Sequence, residues 1–178
     1  TTATTGGDAD YQNSASQLNI SWSGSDGGSG ISTYEYALGT TSGGTQAISW
    51  TSAGTATADT LIFSGFSLTE GSIYYVSVRA TDVAGNISSV STGDGIYIDL
   101  TNPVSGSAID GTSADLSYTA ANSTLAVTWS GFSDAHSGIT SYKVAIEDAV
   151  GNSVVAWTDV GNVSTWTATG LSLSNATT

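Results

Sequence analysis

Cysteine is absent from the 178 residues, proline occurs once and histidine once, and only two residues, Arg79 and Lys143, carry a basic side chain. Without cysteine there is no disulfide staple, which points away from a small secreted eukaryotic domain and toward a bacterial module or an intracellular one. Fifteen acidic residues against two basic ones give a net charge of −13. Such a surface repels a phosphate backbone, so nucleic acid is excluded as a partner. An anionic membrane surface is excluded on the same ground. The scarcity of Lys and Arg removes nearly every site for trypsin-like proteases, which suits an extracellular location. No apolar run approaches the roughly 18 residues of a membrane span, so no membrane insertion is expected. Residues 1–7 lack the basic start and apolar core of a signal peptide, so any export signal is expected outside this stretch.

What is present is strand periodicity. In Ile-Tyr-Tyr-Val-Ser-Val-Arg-Ala-Thr-Asp, Tyr74, Val76, Val78 and Ala80 alternate with Tyr75, Ser77, Arg79 and Thr81. Period two marks a strand with one face in a core. Leu18, Ile20 and Trp22 share a face in the same way, and so do Tyr34, Tyr36 and Leu38. Strands are predicted at 16–23, 32–39, 46–51, 57–64, 73–81 and 90–99, linked by Gly/Ser/Asp-rich turns. The hydrophobic content of 39% is enough for packed cores.

The pattern then repeats. Trp22 and Trp129 lie 107 positions apart (129 − 22), and Leu-Asn-Ile-Ser-Trp-Ser-Gly around the first parallels Leu-Ala-Val-Thr-Trp-Ser-Gly around the second. Tyr34 falls opposite Tyr142, Trp50 opposite Trp157, and Gly65-Phe66-Ser67-Leu68 opposite Gly170-Leu171-Ser172-Leu173. A period of this length is the size of one β-sandwich. The second copy stops where the first begins the Ile73 strand. Two expectations follow: the stretch is cut from a longer array, or a neighbouring chain supplies the missing strands by β-augmentation.

The second-strand Trp, the spacing from Leu68 across a Gly-containing turn to Tyr74, the Tyr-Val-Ser-Val-Arg-Ala-Thr-Asp-x-Ala-Gly-Asn run and the Asp-Leu-Thr-Asn-Pro junction resemble tandem fibronectin type III-like, immunoglobulin-like repeats of large secreted bacterial surface proteins. The Leu68–Tyr74 spacing is similar to that family's tyrosine corner, in which the hydroxyl bonds back to the preceding corner. The resemblance implies an all-β chain of tandem sandwiches. One would occupy 1–99, with its first edge strand partly missing, and 100–103 would be a junction stiffened by Pro103. A second, over 104–178, would lack its last two strands. It implies a stalk or fibre repeat of an adhesin at the cell surface, forming a semi-rigid rod whose partners are neighbouring repeats. The rival expectation is an accessory carbohydrate-binding or spacer module of a secreted polysaccharide-degrading enzyme. No enzymatic activity is expected, because no acid/base pair or nucleophile set is evident.

Candidate sites are few. Asp26 and Asp134 open matching Asp-x-x-Ser-Gly-Ile loops, which suit either an Asx turn or an oxygen-ligand calcium site. Asp99 and Asn102 stand at the junction, and the resemblance would bring Glu70 to the same end, making these three a second calcium candidate. Asp8-Ala9-Asp10 offers two carboxylates, but the second copy lacks the second of them, which counts against an essential metal. His136 sits beside Asp134 and Ser137 in a single turn, which cannot supply the converging geometry of a triad. Asp82-x-x-Gly85-Asn86 and Asp148-x-x-Gly151-Asn152 read as tight hairpin turns. Trp50 and Trp157 fit either a partly buried edge strand or a stacking platform for a sugar ring.

Overall fold

The computed structural model describes residues 2–5 and 10–173, and the chain divides into two compact units between Thr101 and Asn102. Both are all-β.

The first unit contains β1 (Thr2–Thr5), β2 (Tyr11–Gln12), β3 (Gln17–Ser23), β4 (Ile31–Gly39), β5 (Ile48–Gly54), β6 (Ala58–Ile62), β7 (Ile73–Asp82), β8 (Ser91–Thr92) and β9 (Ile96–Ile98). One sheet has the order β1-β3-β6. The other runs β2-β9-β7-β4-β5, with β8 also paired to β7. Apart from the parallel β2–β9 pair, neighbouring strands are antiparallel. This strand order is that of an immunoglobulin-like sandwich of the fibronectin type III kind. The alternating residues read from sequence form its core: Leu18, Ile20 and Trp22 from one sheet meet Tyr34, Tyr36, Leu38, Tyr74, Val76, Val78 and Ala80 from the other. Trp22 packs on both β4 tyrosines, its ring centroid 6.0 Å from each. Burying side chains of this size contributes about 1.5–3 kcal/mol each, so the two facing rows hold the sheets together.

Three departures from plain alternation have local causes. Ser77 breaks the alternation and is fully buried where β8 pairs beside it, Thr92 meeting its hydroxyl at 3.1 Å. The strand expected across 90–99 breaks into β8 and β9 at Gly95, whose φ is 108°. A Cβ at Gly95 would stand 2.7 Å from Ile73 Cγ2, so only glycine permits that bend. Tyr74 closes the corner before β7: its hydroxyl oxygen accepts the Thr69 N–H at 3.2 Å.

The second unit contains β10 (Ser107–Asp110), β11 (Thr124–Ser130), β12 (Tyr142–Glu147), β13 (Ser153–Gly161) and β14 (Thr165–Thr169). Its sheets are β10-β11-β14 and β12-β13. The pairings reproduce those of the first unit residue for residue. Leu18↔Leu61 and Ile20↔Asp59 correspond to Leu125↔Ala168 and Val127↔Trp166. Tyr34↔Gly54, Glu35↔Ser52 and Tyr36↔Thr51 correspond to Tyr142↔Gly161, Lys143↔Asp159 and Val144↔Thr158. What differs is closure. β4 is paired on both edges, by β5 and β7, whereas β12 pairs only with β13 among the described residues. Accordingly, Trp129, Val144 and Ala168 are the buried apolar side chains of this unit among those residues. Leu125 and Val127 stay half-buried where Leu18 and Ile20 are fully inside.

The Tyr74 corner is open to a direct test by denaturant unfolding of the full chain. Tyr74→Phe is expected to lower the stability of the first unit by about 1 kcal/mol through the lost hydrogen bond. Tyr75→Phe, one residue along on the outer face, should leave it unchanged. Equal effects from the two variants would remove the corner as a stabilising contact.

Candidate functional site

Most carboxylates in this chain turn inward on their own loops. Asp26 Oδ2 accepts the N–H of Gly28 at 3.0 Å and of Gly30 at 2.8 Å. Asp134 Oδ1 accepts the N–H of His136 at 3.0 Å and of Gly138 at 2.9 Å. Gly30 and Gly138 both take positive φ, 85° and 74°. The matched loops therefore have Asx-turn geometry, with one carboxylate each. Ser137 Oγ also reaches Asp134, at 3.5 Å, so Asp134, His136 and Ser137 belong to one turn stitched by its own backbone.

The Asp-x-x-Gly-Asn turns use the same device more fully. In each, the Asp accepts both the backbone N–H and the side-chain amide of the Asn four residues on: 2.7 and 2.8 Å for Asp82–Asn86, 2.8 and 2.8 Å for Asp148–Asn152. The bonds from the Asn side chain, then those from its backbone, hold both Asp carboxyls below the usual 3.8. A third pair was not legible in the sequence. Asp110 and Asp115 share a side-chain hydrogen bond, which pulls the Asp110 carboxyl down and pushes the Asp115 carboxyl up. Two carboxyls in one bond titrate as a pair.

At the end of the first unit, Glu70 clamps the outgoing chain. Its Oε2 accepts the Leu100 N–H at 2.6 Å and its Oε1 the Thr101 hydroxyl at 3.1 Å. Asp99 is buried and accepts the Thr101 N–H at 3.1 Å. The structure thus brings Glu70 and Asp99 onto the same three-residue segment. Asn102 is exposed and belongs to the second unit. Among the described residues no group of three or more His, Cys, Asp or Glu side chains converges at metal-binding range. Asp10 is exposed; Asp8 and Ala9 lie outside the described residues.

The two equivalent tryptophans have different surroundings. Trp50 on β5 is half-buried beneath Arg79, whose guanidinium carbon lies 4.4 Å from the ring centroid, and Arg79 Nε donates to Glu35 Oε2 at 2.8 Å. This Trp–Arg–Glu stack spans β5, β7 and β4 on the outer face. Trp157 on β13 is 73% exposed. Lys143 stands at the Glu35 position, exposed, and among the described residues no ion pair involves it. Beside it an apolar groove of about 480 Å³ opens along β12, lined by Val127, Trp129, Phe132, Tyr142, Val144 and Trp157, with Pro103 at its rim. Trp129 and Phe132 both pack on Tyr142 there, with centroids 5.4 and 5.7 Å away. The stack could not be found by sequence reasoning, since it depends on which strands become neighbours.

The class defined by this geometry is a non-disulfide, fibronectin type III-like sandwich present in two copies. One solved structure similar to the chain is that of chicken CNTN1 FN1-FN3 domains, at 14% identity and a TM-score of 0.46 over 93% of this chain; the chain spans 56% of that structure's length. No family model matches the chain, nor does any curated protein.

The turn carboxylates set a pH dependence. Because the Asp82 and Asp148 carboxyls sit below their unfolded value, the stability they contribute is present above that value and is lost as pH falls through the folded one. Carboxyl NMR titration is expected to place both midpoints below 3.8 and Asp115 above it. Ordinary midpoints at Asp82 and Asp148 would show that the Asn bonds do not persist in solution.

Proposed function

We propose that this chain is a structural stalk or fibre repeat of a large extracellular bacterial surface protein, an adhesin, and spaces a binding domain from the cell. The observation that carries this reading is the duplication of one sandwich, strand register included, within a single chain. Stacked copies of one unit add length without adding chemistry. The Glu70 and Asp99 bonds to Leu100 and Thr101 support it further, since they fix the direction in which the chain leaves the first unit. A spacer wants such an exit. The high negative charge and the near absence of trypsin-type sites suit an exposed position outside the cell.

A second reading, an accessory carbohydrate-binding module of a secreted polysaccharide-degrading enzyme, is favoured by the exposed Trp157 ring. Aromatic faces of that kind stack on sugar rings, but a single exposed ring makes a thin site. Neither reading uses a nucleophile or a general acid and base.

Small-angle scattering of the full chain tests the spacer. An elongated particle is expected, with a maximum dimension little changed between about 0.1 and 1 M salt, where screening shortens from ~10 to ~3 Å. Glu70→Gln should broaden the distribution of dimensions. Added calcium should leave the melting temperature unchanged, because the Glu70 oxygens and one Asp99 oxygen already accept N–H and O–H donors; a rise that Glu70→Gln abolishes would establish the Glu70/Asp99/Asn102 cation. A compact, salt-dependent particle would contradict the spacer. Quenching of Trp157 by soluble polysaccharides would favour the second reading.

A further inference from the structure

We infer that the outer face of β2, β9 and β7 in the first unit is a glycan platform whose ligand is a cationic polysaccharide, a polymer of amino sugars with free amines. The site is separate from Trp157 and goes beyond both readings of function above.

Four side chains build the row. Tyr11 on β2 pairs with Tyr97 on β9, and Tyr97 pairs with Ile73 on β7. The alternate residues Ile96, Ile98, Tyr74 and Val76 lie in the core. Pleating therefore sets Tyr97, Ile73 and Tyr75 on the outer face, and the paired Tyr11 with them. The Tyr11 and Tyr97 rings stand 5.9 Å apart, inclined at 60°. The Tyr75 ring rests against Gly95, where a Cβ would meet its Cε1 at 2.9 Å, so the missing side chain gives the ring its place. Tyr11 and Ile73 are 48% and 42% exposed, and Tyr75 and Tyr97 are half-buried. A contiguous exposed group of large apolar side chains marks a binding surface.

Tyrosines offer flat apolar faces with a hydroxyl at the rim. A pyranose ring is the complement, with an apolar C–H face and hydroxyls around its edge. Charge then narrows the choice of sugar. Asp10 precedes Tyr11 and Asp94 precedes Gly95; both are exposed, and among the described residues neither carboxylate accepts a hydrogen bond. That sets them apart from the turn acids Asp26, Asp82, Asp134 and Asp148. The two basic residues of the chain do not compete for them: Arg79 is held by Glu35, and Lys143 belongs to the second unit. On a chain of net charge −13 an acidic glycan is repelled. A neutral one gains stacking alone, whereas an amino sugar adds an ammonium for the carboxylates and the tyrosine faces.

The probe is a β-linked glucosamine hexasaccharide, titrated into the full chain at mildly acidic pH, where its amines are protonated and the carboxylates ionised. Salt at about 0.15 M screens the general negative charge. The ring NMR signals of Tyr11, Tyr75 and Tyr97 are expected to shift together and saturate, while the exposed Tyr118 of the second unit stays unmoved. Tyr75→Ala should weaken binding about fivefold, the scale of one aromatic stacking contact. Asp94→Asn, which keeps the shape of the side chain, should weaken it about threefold, the range of an exposed ion pair. The fully N-acetylated, uncharged hexasaccharide should bind about tenfold more weakly, since it loses both carboxylate contacts. Four results would overturn the inference. They are no ring shifts at millimolar hexasaccharide, equal affinity for its N-acetylated form, equal shifts at Tyr118, and the same tyrosine shifts and affinity with hexalysine, which would make a basic polypeptide the occupant.

Discussion

The contact on which the first unit depends is the seating of β7 against β4 across from the β3 row. One strand contributes Tyr74, Val76, Val78 and Ala80 to the core, the corner bond to Thr69, and Arg79 to the outer stack. It bonds to β4, β8 and β9, so it is the member through which most of the second sheet is joined. The comparison within the chain shows what the strand does. Where it is present, Leu18 and Ile20 are sealed and Trp50 is covered; around β12, where no counterpart lies among the described residues, Leu125 and Val127 are half-open and Trp157 faces solvent.

A chain with net charge −13 has to keep its acids from destabilising the fold. The structure does so locally. Asp26, Asp82, Asp134, Asp148 and Asp159 each accept N–H groups from their own turns, and Glu70 and Asp99 do the same for the segment leaving the first unit. At Asp82 and Asp148 the bonds from the Asn side chain and backbone favour the charged form, which is the state the surrounding charge opposes. The acids thereby serve as turn clips. Their spacing, Asp followed by Gly two to four residues on, is set by loop geometry.

Much of this was readable in advance where the signal is local. Alternation located β3, β4 and β7 within a residue or so, and the matching Trp neighbourhoods gave the repeat, because both depend on side chains near in sequence. The Asp26 and Asp134 loops were legible as Asx turns for the same reason. The break at Gly95 was missed because it arises from Ile73 and Tyr75 on the neighbouring strand. The different fates of Trp50 and Trp157 were illegible too, since the ring's exposure is decided by an arginine 29 positions away (79 − 50). Glu70 reached the junction only through the family's topology; nothing in its own neighbourhood marks it.

The claim most exposed to test is that, among the described residues, β12 is paired on one edge while β4 is flanked on both along Tyr34–Leu38. Residue-resolved amide hydrogen exchange of the intact chain measures this directly, as alternate amides of an antiparallel strand point to opposite neighbours. The account predicts slow exchange along Tyr34–Leu38, where β4 is flanked by β5 and β7, but an alternating slow–fast pattern along Tyr142–Glu147. Uniform protection of Tyr142–Glu147 in dilute solution would contradict it.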